Sequence, residues 1–160
     1  MRYLTTVRGG LARSRRAVGG ALALATAAFV VFAAPAPAMA AEDWYKGCND
    51  GETACQTGVQ VGAGEGECHS TPYGNTTVCV DYYGDYVYVK DGKTDGNSAI
   101  GAVSAYEGSY SFRYCRNPYG SGTWARCNFD WIEGAYKEAW AGYRESTPLL
   151  HLQKLWGFYG

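Results

Sequence analysis

Histidine is nearly missing from this chain of 160 residues, which holds only His69 and His151. A serine-type triad needs a histidine beside a presented nucleophile and a carboxylate, so acyl-transfer chemistry has little to draw on. The nearest approach to a nucleophile elbow, Gly96-Asn97-Ser98-Ala99-Ile100-Gly101, misses the pattern by one residue and follows a turn rather than a strand. No C-x-x-C pair occurs and the two histidines do not stand at ligand spacing, which argues against a zinc framework. Clusters of Lys and Arg are missing beyond residue 16. Phosphate backbones and anionic lipid surfaces both require such cations, so neither nucleic acid nor a membrane surface is an expected partner. No linker, low-complexity tract or long repeat interrupts the chain, and a single domain is expected beyond the leader.

Arginine is concentrated where acid is absent. Arg2, Arg8, Arg13, Arg15 and Arg16 precede an uncharged, largely apolar stretch from Ala17 to Ala34, and Ala38-Met39-Ala40 supplies small residues at alternate positions. This is the order of a cleavable secretory signal peptide over residues 1–40, cut after Ala40 or, as second choice, after Ala38. Its arginine and alanine content is of bacterial type. Ser14-Arg15-Arg16 resembles the start of a twin-arginine signal, but Val18-Gly19 stands where that motif takes a large apolar pair, which favours export of the unfolded chain. The apolar stretch could in principle span a bilayer; its glycines, its prolines and the cleavage pattern argue for removal instead. The expected product is a secreted, extracellular domain over residues 41–160, with no stable membrane association. It keeps nine basic and all fifteen acidic residues, a net charge of −6.

All six cysteines, Cys48, Cys55, Cys68, Cys79, Cys115 and Cys127, lie in that domain. An even number in a short exported chain reads as a disulfide framework. Six cysteines allow 15 pairings, but an internal echo selects among them. Cys68 is followed by Pro72-Tyr73-Gly74 and Cys79, and Cys115 by Pro118-Tyr119-Gly120 and Cys127. Proline and glycine suit the central positions of a β-turn, so each segment reads as a hairpin or loop closed by its own bridge. The expected pairs are Cys68 with Cys79, Cys115 with Cys127 and, by remainder, Cys48 with Cys55.

Residues 41–66 are polar and glycine-rich and read as a loop-rich arm, with a short strand suggested only by Val59 and Val61. Residues 67–160 read as a β core. Period-two alternation, as in Tyr86-Val87-Tyr88-Val89, recurs between turn dipeptides such as Asp91-Gly92 and Asp95-Gly96. Further runs at 98–105, 109–115, 123–131 and 154–159 bring the count to seven or eight short strands. The expected fold is all-β, a small disulfide-stapled sandwich or barrel. Tyr136, Ala139, Trp140 and Tyr143 fall at the spacing of one helical face, so at most one short helix is expected, near 135–144.

For chemistry the acids offer pairs, Asp81 with Asp85 and Glu65 with Glu67, and a glycosidase needs two carboxyls at a set separation. Asp91-Gly92-Lys93-Thr94-Asp95-Gly96-Asn97 resembles a calcium loop, but Lys93 stands at a ligand position and no Glu closes it. No metal, cofactor or catalytic residue is expected. What distinguishes the domain is aromatic content: all five tryptophans and 13 of the 14 tyrosines belong to it. Tyrosine and tryptophan present flat apolar area with a hydrogen-bonding edge, which is why binding surfaces are rich in them. Tyr73, Tyr82, Tyr83, Tyr86, Tyr88, Tyr119 and Trp124 are the candidate contacts. The expected function is a non-catalytic binding protein that recognises an extracellular glycan, cell-wall component or protein, one form being an enzyme inhibitor. The alternatives are a small hydrolase using paired carboxylates and a structural coat or envelope protein.

Overall fold

The computed structural model describes residues 44–106, 111–145 and 149–160. The expected leader and its cleavage sites lie outside the described residues, as do Ser109 and Tyr110 of one expected strand. Among the described residues ten strands form two five-stranded sheets packed as a sandwich. They are β1 (Thr53–Thr57), β2 (Val59–Val61), β3 (Glu67–Ser70), β4 (Thr76–Asp81), β5 (Tyr86–Asp91), β6 (Ser98–Ala105), β7 (Phe112–Asn117), β8 (Trp124–Asn128), β9 (Tyr136–Arg144) and β10 (Leu150–Tyr159). One sheet runs β1-β7-β6-β9-β10 and the other β2-β8-β5-β4-β3. All pairs are antiparallel except β1 with β7.

The core forms where alternation sends small and branched residues between the sheets. Val78, Val80, Val87 and Val89 from one sheet meet Ala99, Val103, Ala139 and Ala141 from the other. Close approach needs Gly101, where an added Cβ would lie 2.7 Å from a Val89 methyl and 2.9 Å from a Val78 methyl. A second apolar cluster covers the outer face of the β6–β9 sheet, where Trp44 and Tyr114 close over Ile100 and Ala102, with Phe112, Trp140, Leu150 and Leu152 beside them.

That second cluster explains the segment expected as a possible helix. Residues 136–144 form a central strand covered on both faces, so apolar residues no longer alternate with polar ones. The helix-like spacing draws on both faces of the strand: Ala139 enters the main core and Trp140 the outer cluster, while Tyr136 is exposed at its start. The glycine-rich arm is likewise more ordered than expected. Its β1 and β2 are nearly one strand that changes sheets at Gly58, where a Cβ would fall 2.8 Å from that of Ala125.

Three disulfides join Cys48 to Cys55, Cys68 to Cys79 and Cys115 to Cys127, the pairs the Pro-Tyr-Gly echo points to. The two echoed segments nevertheless differ. Cys68 and Cys79 face each other across the β3–β4 ladder, whereas β7 and β8 belong to different sheets, so Cys115–Cys127 crosses the core. Three bridges suit an oxidising environment. Among the described residues no helix is long and apolar enough to cross a membrane.

Gly142 gives a sharp test of this packing. A Cβ there would lie 1.7 Å from the His151 carbonyl oxygen on the paired strand, a backbone clash that only separation of β9 from β10 relieves. Gly142→Ala is expected to cost roughly 3 kcal/mol in urea unfolding. Gly62→Ala, with nothing within 4 Å of the new methyl, should stay within about 0.5 kcal/mol of the parent.

Candidate functional site

Strand direction gathers four connections at one end of the sandwich: β3–β4, β5–β6, β7–β8 and β9–β10. The registers place Thr76 opposite Asp91, Ala99 opposite Asn117, and Ser98 and Leu150 opposite Arg144. Both Pro-Tyr-Gly turns are therefore at this end.

The first turn is held by Thr71. Its carbonyl accepts the Gly74 N–H at 2.9 Å and its hydroxyl accepts the Thr76 N–H at 3.1 Å. Tyr73 at the tip is 98% exposed and adopts φ 72°, a left-handed conformation uncommon for a bulky residue. Beside it the two sheets part to leave a groove of about 440 Å³. The Thr76 hydroxyl, donating to the Gly142 carbonyl at 2.8 Å, ties the sheets together there. Thr71, Tyr73, Asn75, Tyr143, His151 and Gln153 line it. The His151 ring stacks on Tyr143 with centroids 4.8 Å apart, and its Nε2 lies 3.2 Å from a Glu145 carboxylate oxygen.

The second turn hangs from Asn117, a fully buried residue of β7. Its amide donates to the Val89 and Thr123 carbonyls at 3.0 and 2.9 Å, and its carbonyl accepts the Tyr119 N–H at 3.0 Å. Tyr119 is 45% exposed and its hydroxyl donates to the Gly58 carbonyl. This turn and the β5–β6 loop frame a second groove of about 340 Å³, lined in part by Asp91, Lys93, Asn97, Tyr119 and Ser121. Both grooves fall within the usual size of small-molecule sites, about 300–1,000 Å³. Asp91 and Asp95 each accept the backbone N–H two residues on, from Lys93 and Asn97, and Lys93 Nζ sits 3.3 Å from Asp95. Burial pushes the Asp91 carboxyl up, while the Asn97 N–H, with Lys93 second, holds Asp95 down. The stretch that resembles a calcium loop is thus closed on itself by turn hydrogen bonds and a lysine.

The remaining candidate aromatics do not line either groove. Tyr86, Tyr88 and Trp124 share the outer face of the β5–β8 sheet, but Tyr88 is only 3% exposed. The Gly62–Gly66 segment crosses over that face: a Cβ on Gly64 would lie 2.5 Å from the Trp124 ring. Arg126 covers Tyr86 at 4.6 Å, and the Lys90 ammonium lies 5.9 Å from the Trp124 ring. These rings pack a small satellite core rather than an open surface. Tyr83 is fully exposed, in the β4–β5 turn at the opposite end.

Tyr82 is a strut. It stacks on Phe158, accepts the Trp156 indole N–H at 3.0 Å and donates to Glu67, drawing β10 against β3. Burial and then the Glu67 bond push its hydroxyl up to about 12. In turn the Tyr82 bond, then that of His69, lowers the Glu67 carboxyl below its ordinary 4.5. A carboxyl depressed in the fold stabilises it above the unfolded value and loses that contribution as pH falls through the folded one. Glu67→Gln should therefore flatten the drop in urea midpoint between about pH 5 and about pH 3.

The proposed acid pairs go to separate tasks. Asp81 accepts the Tyr83 N–H and Asp85 that of Trp131, while Tyr88 donates to Glu65 at 3.4 Å and Glu67 serves Tyr82. Ser98 Oγ accepts from Arg116, not from a histidine. Among the described residues no group of three His, Cys, Asp or Glu could hold a metal ion. Of the seven candidate aromatics, the grooves bring in Tyr73 and Tyr119; Tyr143 and His151 were missed. Pairing 136–144 with 150–159 as a hairpin would have found them, since that register sets Tyr143 opposite His151. Compared with known proteins, the chain matches no family, no curated protein and no solved structure.

Proposed function

We propose that the protein is a secreted, non-catalytic binding domain that holds a neutral extracellular glycan in the groove beneath Tyr73. One observation carries the reading: a bulky side chain kept in a left-handed turn and 98% exposed, above a groove whose wall is the Tyr143–His151 stack. Backbone strain without a packing reward is a feature of ligand clamps. Sugar rings present a C–H face that rests on aromatic rings and a rim of hydroxyls that pair with Thr71, Asn75 and Gln153. At the two grooves Lys93 pairs with Asp95, Glu145 contacts the His151 ring, and Asp91 is buried and accepts the Lys93 backbone N–H, which favours an uncharged ligand over a peptide read by its charges.

Calorimetric titration with soluble cello-, chito-, xylo- and manno-oligosaccharides tests this. At least one series should bind with a dissociation constant of about 1 mM or better, which is about 4 kcal/mol. Failure of all four, together with no retention on the insoluble polysaccharides, would remove the reading.

A further inference from the structure

The two grooves are mechanically joined. Asp91 N–H donates to the Thr123 carbonyl at 3.1 Å and the Asp91 carbonyl accepts the Gly122 N–H at 2.7 Å, which fixes the second Pro-Tyr-Gly turn. The next residue, Gly92, donates its N–H to the Asn75 carbonyl at 2.9 Å, which fixes the first. Contact there is so close that a Cβ on Gly92 would lie 2.1 Å from the Gly74 carbonyl oxygen. Two exposed tyrosines of the same local motif thus stand in set relation on either side of the Asp91-Gly92 hub. Each borders a groove carrying hydroxyl and amide side chains: Thr71, Asn75 and Gln153 in one, Asn97 and Ser121 in the other.

We infer that the loop end is a two-subsite platform for an extended oligosaccharide, with one sugar on the Tyr73 groove, another on the Tyr119 groove and the chain running over Asp91-Gly92. This rests on the glycan reading above and adds the second subsite and the length of the ligand. A unit already seated in the first groove presents the rest of its chain to the second at high local concentration, so affinity rises with length without any new kind of contact. The hub holds both subsites in place before binding, which lowers the ordering cost.

Length-resolved titration decides it, using oligomers of one to eight units from the series that binds. Affinity should climb by about tenfold or more between the short and long members. Tyr119→Ala should reduce the long oligomers to the affinity of the short ones and leave the short ones unchanged. Asn97→Ala, which spares the Tyr119 bond to Gly58, should act in the same sense if Tyr119→Ala proves unstable. Gly92→Ala, by prising the turns apart, should also erase the gain with length. If affinity levels off at one or two units and Tyr119→Ala and Asn97→Ala are silent at every length, the second subsite is wrong while the Tyr73 groove stands. If no oligomer of any length binds, the glycan reading falls and takes this inference with it.

Discussion

Tyr73→Gly is expected to weaken oligosaccharide binding by about tenfold or more while leaving the protein as stable as before, or more stable by up to about 1 kcal/mol. The two effects have separate causes. Its side chain is almost wholly in solvent, so truncation removes no buried area, and glycine adopts φ 72° without the steric cost that tyrosine bears. The residue borders the first groove, so on the proposed reading a ligand seated there loses an aromatic contact. A tyrosine kept for stability would show the reverse, with binding intact and unfolding made easier. Tyr73→Phe, which keeps the ring and its backbone strain, should retain most of the affinity. Titration of both variants alongside urea unfolding separates these outcomes.

The second large effect concerns the bridge through the core. Cys115–Cys127 is the one disulfide of the three that joins the two sheets, and both cysteines are buried. With a sequence separation of 12, its removal from the unfolded-state constraint alone costs about 3 kcal/mol, and the void left by two alanines adds to that. Cys115→Ala with Cys127→Ala should lower Tm by roughly 10 °C or more. Cys48–Cys55 closes a separation of 7 at the rim of the outer cluster, and its double alanine variant should lose about 2 kcal/mol. Calorimetric scans of the two variants should rank them in that order; equal losses would show that the inter-sheet position gives no added stability.

What the residues disclosed in advance was mainly what is local. Alternation in Tyr86–Val89 marks a strand because one face meets the core and the other does not, and the Pro-Tyr-Gly turns mark two loops because proline and glycine leave the backbone few choices. Cysteine pairing followed from the repetition of that turn. What stayed hidden depends on the second face of a sheet. Residues 136–144 lose their alternation because an outer cluster covers them, and Tyr88 alternates like a surface residue yet is buried by a glycine-rich segment whose lack of side chains lets it lie on Trp124. The candidate aromatics scattered for the same reason. Period two says which residues share a face of a strand, but not which end of the sandwich a turn reaches, nor what lies over the face. Tyr73 and Tyr119 were singled out for their turn positions, and it is the pairing of β4 with β5 in one sheet and of β6 with β7 in the other that brings those turns to a common end.

The claim that binding belongs to that end is open to one direct measurement, a nuclear magnetic resonance titration of the ¹⁵N-labelled domain with the longest soluble oligosaccharide that binds. The account predicts amide shifts concentrated in residues 71–76, 91–98, 117–123 and 142–153. Shifts confined to residues 82–86 and 129–136 at the opposite end, where Tyr83 stands exposed, would contradict it.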